Sequence, residues 1–283
     1  MKQNKQIFKS APLPFQGQKR NFVKEFQTAL TELNPTGEIT TIVDLFGGSG
    51  LLSHTAKRYM PQCRVVFNDF DDFHLRLEHV STTNAILAEL RAILADCPRH
   101  ERITGERRQR IEAVLKRADA AGFVDWVTLS GSLLFSCKYQ TSLDGFLKES
   151  FYNNVKQEDY HADDYLDGIE VVKCDYRELA GRFQGRRDVL FLVDPPYLST
   201  DAASYKAGAY WKLKDYLDVL LTLLDGNYIY FTSSKSQIVE LCDWFAAHFG
   251  INTPFSNAAV KTYQVKGKVL NYTDMMFYKP FAR

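Results

Sequence analysis

The chain has 283 residues, 45% of them hydrophobic and 24% charged, and its formal net charge is +1. This is ordinary globular composition, long enough for one large α/β domain carrying an insert, and it excludes wholesale disorder. No apolar run approaches the ~18 residues of a membrane span, and the polar stretch Met1–Lys9 lacks the apolar core of a secretory signal.

In chain order, residues 18–33 place Phe22, Val23, Phe26, Ala29, Leu30 and Leu33 at helical spacing, and Asn34-Pro35-Thr36-Gly37 closes that helix. Residues 40–46 predict a short buried strand that ends in a glycine-rich loop. A helix follows from about Ser49, with Lys57 and Arg58 in its last turn and Pro61 beyond it. Cys63–Phe67 predicts a second strand, and one long helix is expected over Phe73–Leu94, with Ile86, Leu87, Leu90, Ile93 and Leu94 as its stripe.

The alternation then stops. Between about 96 and 168 only one helix is well defined, Glu106–Ala121, with Gly122 as its stop. Strands at 169–174, 188–193 and 227–233 alternate with helices at 176–183, 212–224 and 236–247, and a hairpin of 259–265 and 269–278 ends the chain. Seven strands in this order predict a doubly wound, mostly parallel α/β sheet formed by 1–95 and 169–283, interrupted by a mainly helical insert, 96–168.

Two constellations carry chemistry. Asp44-Leu45-Phe46-Gly47-Gly48-Ser49-Gly50 runs from a strand through a glycine turn into a helix, so the backbone passes close under a ligand and free N–H groups face it. The third glycine of the dinucleotide fingerprint is replaced by Ser53. Asp69, at the end of the second strand, is placed to accept hydrogen bonds from ribose hydroxyls. Loop and acid together fit an adenosine-containing cofactor without requiring phosphates.

The second constellation is Asp194-Pro195-Pro196-Tyr197, just past the continuous apolar run Val189–Val193 of a central parallel strand. A chain of this length contains that tetrapeptide by chance roughly once in a thousand. An exocyclic amine on a nucleobase is a poor nucleophile, because its lone pair is delocalised into the ring. The Asp194 carboxylate and the Pro195 carbonyl can hold its N–H groups while the nitrogen turns tetrahedral, and the prolines add no competing donors. Tyr197 can stack on the base, a contact worth ~1–3 kcal/mol, once the base has left the duplex.

These motifs, with Pro14-Phe15-Gln16-Gly17-Gln18-Lys19 upstream of both, resemble the Dam-type, alpha-class DNA adenine N6-methyltransferases. The resemblance covers about 1–84 and 169–283. It implies a monomeric, metal-free cytoplasmic enzyme that takes methyl from S-adenosylmethionine and acts on double-stranded DNA. It also implies that the insert is a target-recognition domain, and it leaves open a cognate restriction endonuclease as partner. Carried over by position, Phe15, Gly17 and Lys19 line the methionine end of the cofactor. Phe46, Gly47, Gly48, Ser49 and Gly50, following Asp44, form its loop, Asp69 holds the ribose and Asp175 faces the adenine amine. The insert has no counterpart of the recognition hairpin of GATC-reading members.

Charge is unevenly spread. Residues 1–30 carry six basic groups against Glu25, residues 255–283 five against Asp274, and residues 149–170 seven acidic groups against Lys156. In the insert, Arg107, Arg108, Arg110, Lys138 and Tyr139 are expected to contact nucleic acid, although core packing accounts equally well for the aromatics interleaved with basic groups over 138–152. The small-residue loop 198–211 reads as a lid, with Lys206, Tyr210 and Trp211 within reach of substrate, or equally as an ordered crossover. Five scattered cysteines (63, 97, 137, 174, 242) without a C-x-x-C pair argue against a disulfide framework or zinc site and for a reducing cytoplasm. The alternatives are a cytosine-N4 or ribosomal RNA amino-methyltransferase, and a catalytically idle DNA-binding module.

Overall fold

The apolar strands pair as their composition requires. In the computed structural model, which describes residues 7–135, 138–197, 211–224, 226–266 and 271–279, β1 (Thr41–Asp44) lies between β2 (Arg64–Asn68) and β6 (Val189–Val193). Val43 is registered with Val66 on one side and Phe191 on the other, all parallel. β5 (Glu170–Val172) extends the sheet beyond β2. On the far side come β7 (Asn227–Ser233), then β9 (Tyr272–Lys279), antiparallel to its neighbours, and β8 (Ala259–Val265) at the edge. The order is therefore β5-β2-β1-β6-β7-β9-β8, with β1, β6 and β7 buried along their whole length. Continuous apolar runs are what strands covered on both faces need.

The strand period of two divides each run between two cores. Ile42, Leu190, Leu192, Ile229 and Phe231 pack with α1 (Val23–Leu33) and α2 (Leu51–Tyr59). Val43, Phe191, Val193, Tyr228 and Tyr230 pack with α8 (Tyr176–Gly181), α9 (Leu213–Leu224) and α10 (Ile238–Phe249). The predicted strands and helices of this region are found within a few residues of their expected bounds.

By its contacts the chain divides into two compact units, one of 1–10, 18–71 and 166–283, the other of 11–17 and 72–165. The second holds α3 (Phe73–Glu78), α4 (Val80–Ile93), α5 (Gly105–Ala121), α6 (Trp126–Leu133) and α7 (Leu143–Leu147), with a short pair of strands, β3 (Arg102–Ile103) and β4 (Phe151–Tyr152). Its start differs from the sequence reading, which assigns 73–94 to the sheet. The stripe Ile86, Leu87, Leu90 and Ile93 buries instead against Ile103, Ile111, Leu115 and Leu129, and periodicity alone does not say which core a stripe joins. The expected single helix over 73–94 is two, parted at His79, whose ψ of 19° leaves the helical range. No helix among the described residues is long and apolar enough to cross a membrane.

Candidate active site

The chain builds β1, β2 and β5 outward on one side, then returns to lay β6 against the other flank of β1. Strand order thus reverses between β1 and β6, and the carboxyl ends flanking such a switch are where doubly wound sheets bind ligands. The glycine loop leaves β1 and the Asp194-Pro195-Pro196-Tyr197 turn leaves β6, so both open on that crevice, with Asp69 one residue past β2.

The loop is tight because its own packing demands it. A Cβ on Gly47 would stand 2.1 Å from the Phe67 ring, so only glycine fits above that side chain. Gly48 and Gly50 have φ of 52° and 68°, the left-handed region, and turn the chain into α2. Phe46 reaches away from the loop to Tyr176 (5.0 Å) and Trp211 (5.6 Å). Trp211, expected to reach substrate, packs here and on Tyr216 instead; Lys206 and Tyr210 lie outside the described residues.

Asp44 is fully buried. Its Oδ2 accepts a hydrogen bond from Ser53 Oγ at 2.7 Å, while Oδ1 has no hydrogen-bond partner among the described residues. Burial pushes the carboxyl up to about 7, Ser53 opposes that, and the negative charge of Asp194 adds to it. The loop therefore keeps a buried acid whose titration is moved toward neutrality.

The Asp194 carboxylate accepts a charge-assisted hydrogen bond from Lys19 Nζ on Oδ2. Burial raises its pKa and the Lys19 ammonium holds it down. No hydrogen bond among the described residues reaches Oδ1, and the side chain keeps 18% of its surface exposed. Lys19 Nζ also stands 5.7 Å from the Tyr197 ring centroid and 5.9 Å from that of Phe231, within cation–π range. Asp274 on β9, half-buried and also raised by burial, feels both Lys19 and Asp194. The sequence reading places Lys19 at the methionine end of a cofactor. The fold brings it across 175 residues to Asp194 of the Asp194-Pro195-Pro196-Tyr197 turn, a pairing no local pattern signals.

Other expected cofactor residues are less concentrated. Asp69 is buried beside the loop, its amide bonded to the Val172 carbonyl at 2.8 Å, and Ser49 is buried within it. Phe15 and Gly17 belong to the second unit, where Phe15 meets Phe73 edge-on at 5.7 Å and Gly17 takes a φ of 83°. Asp175 is exposed and committed to its own helix: it caps α8 by accepting from the Arg177 amide at 2.7 Å and pairs with the Arg177 guanidinium. The chain places a helix cap where the resemblance expects a base contact.

No protein-family model matches the chain. A candidate methyltransferase of Haemophilus influenzae is 39% identical over 287 residues, spanning 98% of this chain and 94% of that protein. The chain belongs to this methyltransferase family. Its strand order, with one antiparallel strand near the edge, is that of the S-adenosylmethionine-dependent methyltransferase fold. Solved structures similar to it include a SAM-dependent methyltransferase from Agrobacterium tumefaciens, with TM-score 0.41 and 11% identity over 93% of this chain and 63% of that one. Another is the rRNA methyltransferase aviRa from Streptomyces viridochromogenes, with TM-score 0.34 and 15% identity over 92% and 84%. At such distances these likenesses carry no weight on substrate.

Within this methyltransferase, the insert residues expected on nucleic acid are largely engaged at home. Arg108 donates to Glu112 (2.7 Å), to the Glu149 carbonyl (3.0 Å) and to the Leu147 carbonyl (2.8 Å), with its guanidinium 4.3 Å from the Phe151 ring centroid. It is an internal strut, because helical phase turns it onto the 147–151 segment rather than outward. Arg107 pairs with Asp96 at 3.0 Å and Lys138 with Glu149 at 2.5 Å. Arg110 is exposed and Tyr139 half-buried. Of the interleaved aromatics, Phe146 and Phe151 are core.

Proposed function

We propose that this methyltransferase moves the methyl group of S-adenosylmethionine to N6 of an adenine extruded from DNA. The observation that carries the reading is the Asp194-Pro195-Pro196-Tyr197 turn at the switch point, with Lys19 on one carboxylate oxygen and the other open. The cofactor suits the site for a reason internal to the chain: the buried Oδ1 of Asp44 has no hydrogen-bond partner among the described residues and is an acceptor when the carboxyl is ionised, and the ammonium of a methionine moiety would supply the donor. The glycine loop and Asp69 would hold its adenosine portion. When bound, the cofactor supplies an electrophilic methyl carbon, so the amine nitrogen forms the N–C bond while the C–S bond breaks and sulfur keeps the electron pair.

The chain's own residues do the rest. The Lys19 ammonium opposes the rise that burial gives the Asp194 carboxyl; in its ionised form Oδ1 can accept one amine N–H and the Pro195 carbonyl the other. Held this way, the nitrogen lone pair leaves conjugation with the ring. Tyr197 supplies a face for the base to stack on. After transfer the nitrogen bears a positive charge, and Asp194 takes the proton at Oδ1 and releases it to water.

The test is to incubate duplex DNA and a matched RNA with enzyme and cofactor, digest both, and identify modified nucleosides by mass spectrometry. N6-methyladenine in the DNA is the expected product; N4-methylcytosine, or methylation of the RNA alone, overturns the reading. Asp194→Ala should cut single-turnover rates by about a hundredfold or more while cofactor affinity by calorimetry stays within a few-fold.

A further inference from the structure

The face formed by α9 and α10 is apolar where a solvated surface is expected. On α9, Tyr216, Val219, Leu220 and Leu223 pack toward the sheet, yet Leu213, Leu217, Leu221 and Leu224 form a second stripe at helical spacing. With Trp244 and Phe249 of α10 they are each between 37% and 60% exposed. Arg177 of α8 binds Asp215 and Asp218 on the opposite flank of α9, so the leucine flank faces away from α8. That is the side of α10, because α9 links β6 to β7, α10 links β7 to the edge strand β8, and all three helices cover one face of the sheet. Helical phase turns Trp244, stacked on His248 at 4.6 Å, back toward α9.

We propose that this face is a homodimer interface, occupied by a second copy of the chain across a two-fold axis. Size is the first argument. The six residues expose on the order of 600 Å², at the upper end of what monomers ordinarily leave open and about three quarters of the ~800 Å² per partner of a stable complex. Self-complementarity is the second. Exposed Lys214 borders the leucine stripe and exposed Glu240 borders Trp244, so a two-fold axis that lays each copy's leucines on the other's aromatics also brings each Lys214 to the other's Glu240. Residues 198–210, which precede α9, offer only Leu198, Tyr205 and Tyr210 as large apolar groups, too little to cover the face. A dimer departs from the monomer that the family resemblance implies.

Sedimentation velocity of the full chain over a concentration series should show a reversible dimer forming in the micromolar range. A strictly monomeric chain at the highest concentration overturns the proposal. Leu221→Glu should be monomeric with an unchanged circular dichroism spectrum; a dimer that persists in it puts the interface elsewhere. Lys214→Glu and Glu240→Lys should each weaken association about tenfold, and the double exchange should restore it to within a few-fold. Failure of that restoration overturns the two-fold pairing.

Discussion

Each unit of the chain buries a basic side chain against an aspartate, and the two pairs are built differently. In the second unit, Asp125 accepts from Arg76 Nε (2.9 Å), from the Thr128 amide (3.0 Å) and from Thr128 Oγ1 (2.5 Å), and Arg76 donates onward to the Pro14 carbonyl (2.8 Å). Both carboxylate oxygens are spoken for, and Asp125 caps α6. In the sheet unit, Asp194 has Lys19 on one oxygen, and no hydrogen bond among the described residues reaches the other. A low-dielectric site makes a saturated network rigid and an incompletely satisfied one costly. The first pair therefore fixes helices, and the second holds the acceptor that the proposed reaction uses. Burial of charge by itself does not mark function; an unused hydrogen-bonding direction beside the buried charge does.

The sharpest way to break that contrast is to remove the structural member. Asp125→Ala leaves Arg76 and the Thr128 amide buried without their partner, and should cost about 3–5 kcal/mol of stability. Urea unfolding of the full chain measures it. A loss below about 1 kcal/mol would mean that the pair is no strut and that the distinction between the two units has been drawn in the wrong place.

Asp44 extends the comparison to pH. Its folded pKa of about 7 stands well above the ordinary carboxylate value, so the folded state holds a proton that the unfolded chain has released. Below about pH 4 both states are protonated and the contribution to stability is fully present; it falls as pH rises and levels off once the folded carboxyl ionises. Between about pH 5 and pH 8 the loss should be roughly 2–3 kcal/mol. Asp44→Asn cannot titrate, so the stability difference between wild type and variant should carry this slope. A pH-independent difference would remove the buried acid from the site.

Much of this was legible in the chain because the signals are local. Val189–Val193 and residues 40–46 read as buried strands because their apolar runs are continuous, and the glycine loop and the Asp194-Pro195-Pro196-Tyr197 turn follow the ends of those strands. What escaped was nonlocal. Lys19 meets Asp194 only once β6 has returned beside β1, and Gly47 is a glycine because of Phe67, twenty residues on. The stripe of α4 announces an apolar face but not its partner, so the second unit began earlier than composition suggested. Arg108 misled for a related reason: a basic residue on a predicted helix reads as solvent-facing until a neighbouring segment supplies carbonyls for it.

Arg108 and Arg110, two residues apart on α5, bring that last point to a measurement. Arg108 has three hydrogen-bonded directions and a ring beneath it, so Arg108→Ala should cost about 1–2 kcal/mol of stability. It should leave the salt dependence of DNA binding unchanged, since a guanidinium already on carbonyls releases no counterions from phosphate. Arg110 is exposed. If α5 meets the duplex, Arg110→Ala should reduce the slope of log affinity against log salt by about one and shift stability by less than about 0.5 kcal/mol. The two readouts, unfolding midpoint and salt slope, should therefore move in opposite variants. If Arg108→Ala lowers the slope, the strut opens on binding and its internal bonds are exchanged for phosphate. If neither variant changes the slope, α5 does not contact the duplex. The effect is the smallest of those expected here, but it separates an arginine that holds the unit together from one that has nothing in the unit to hold.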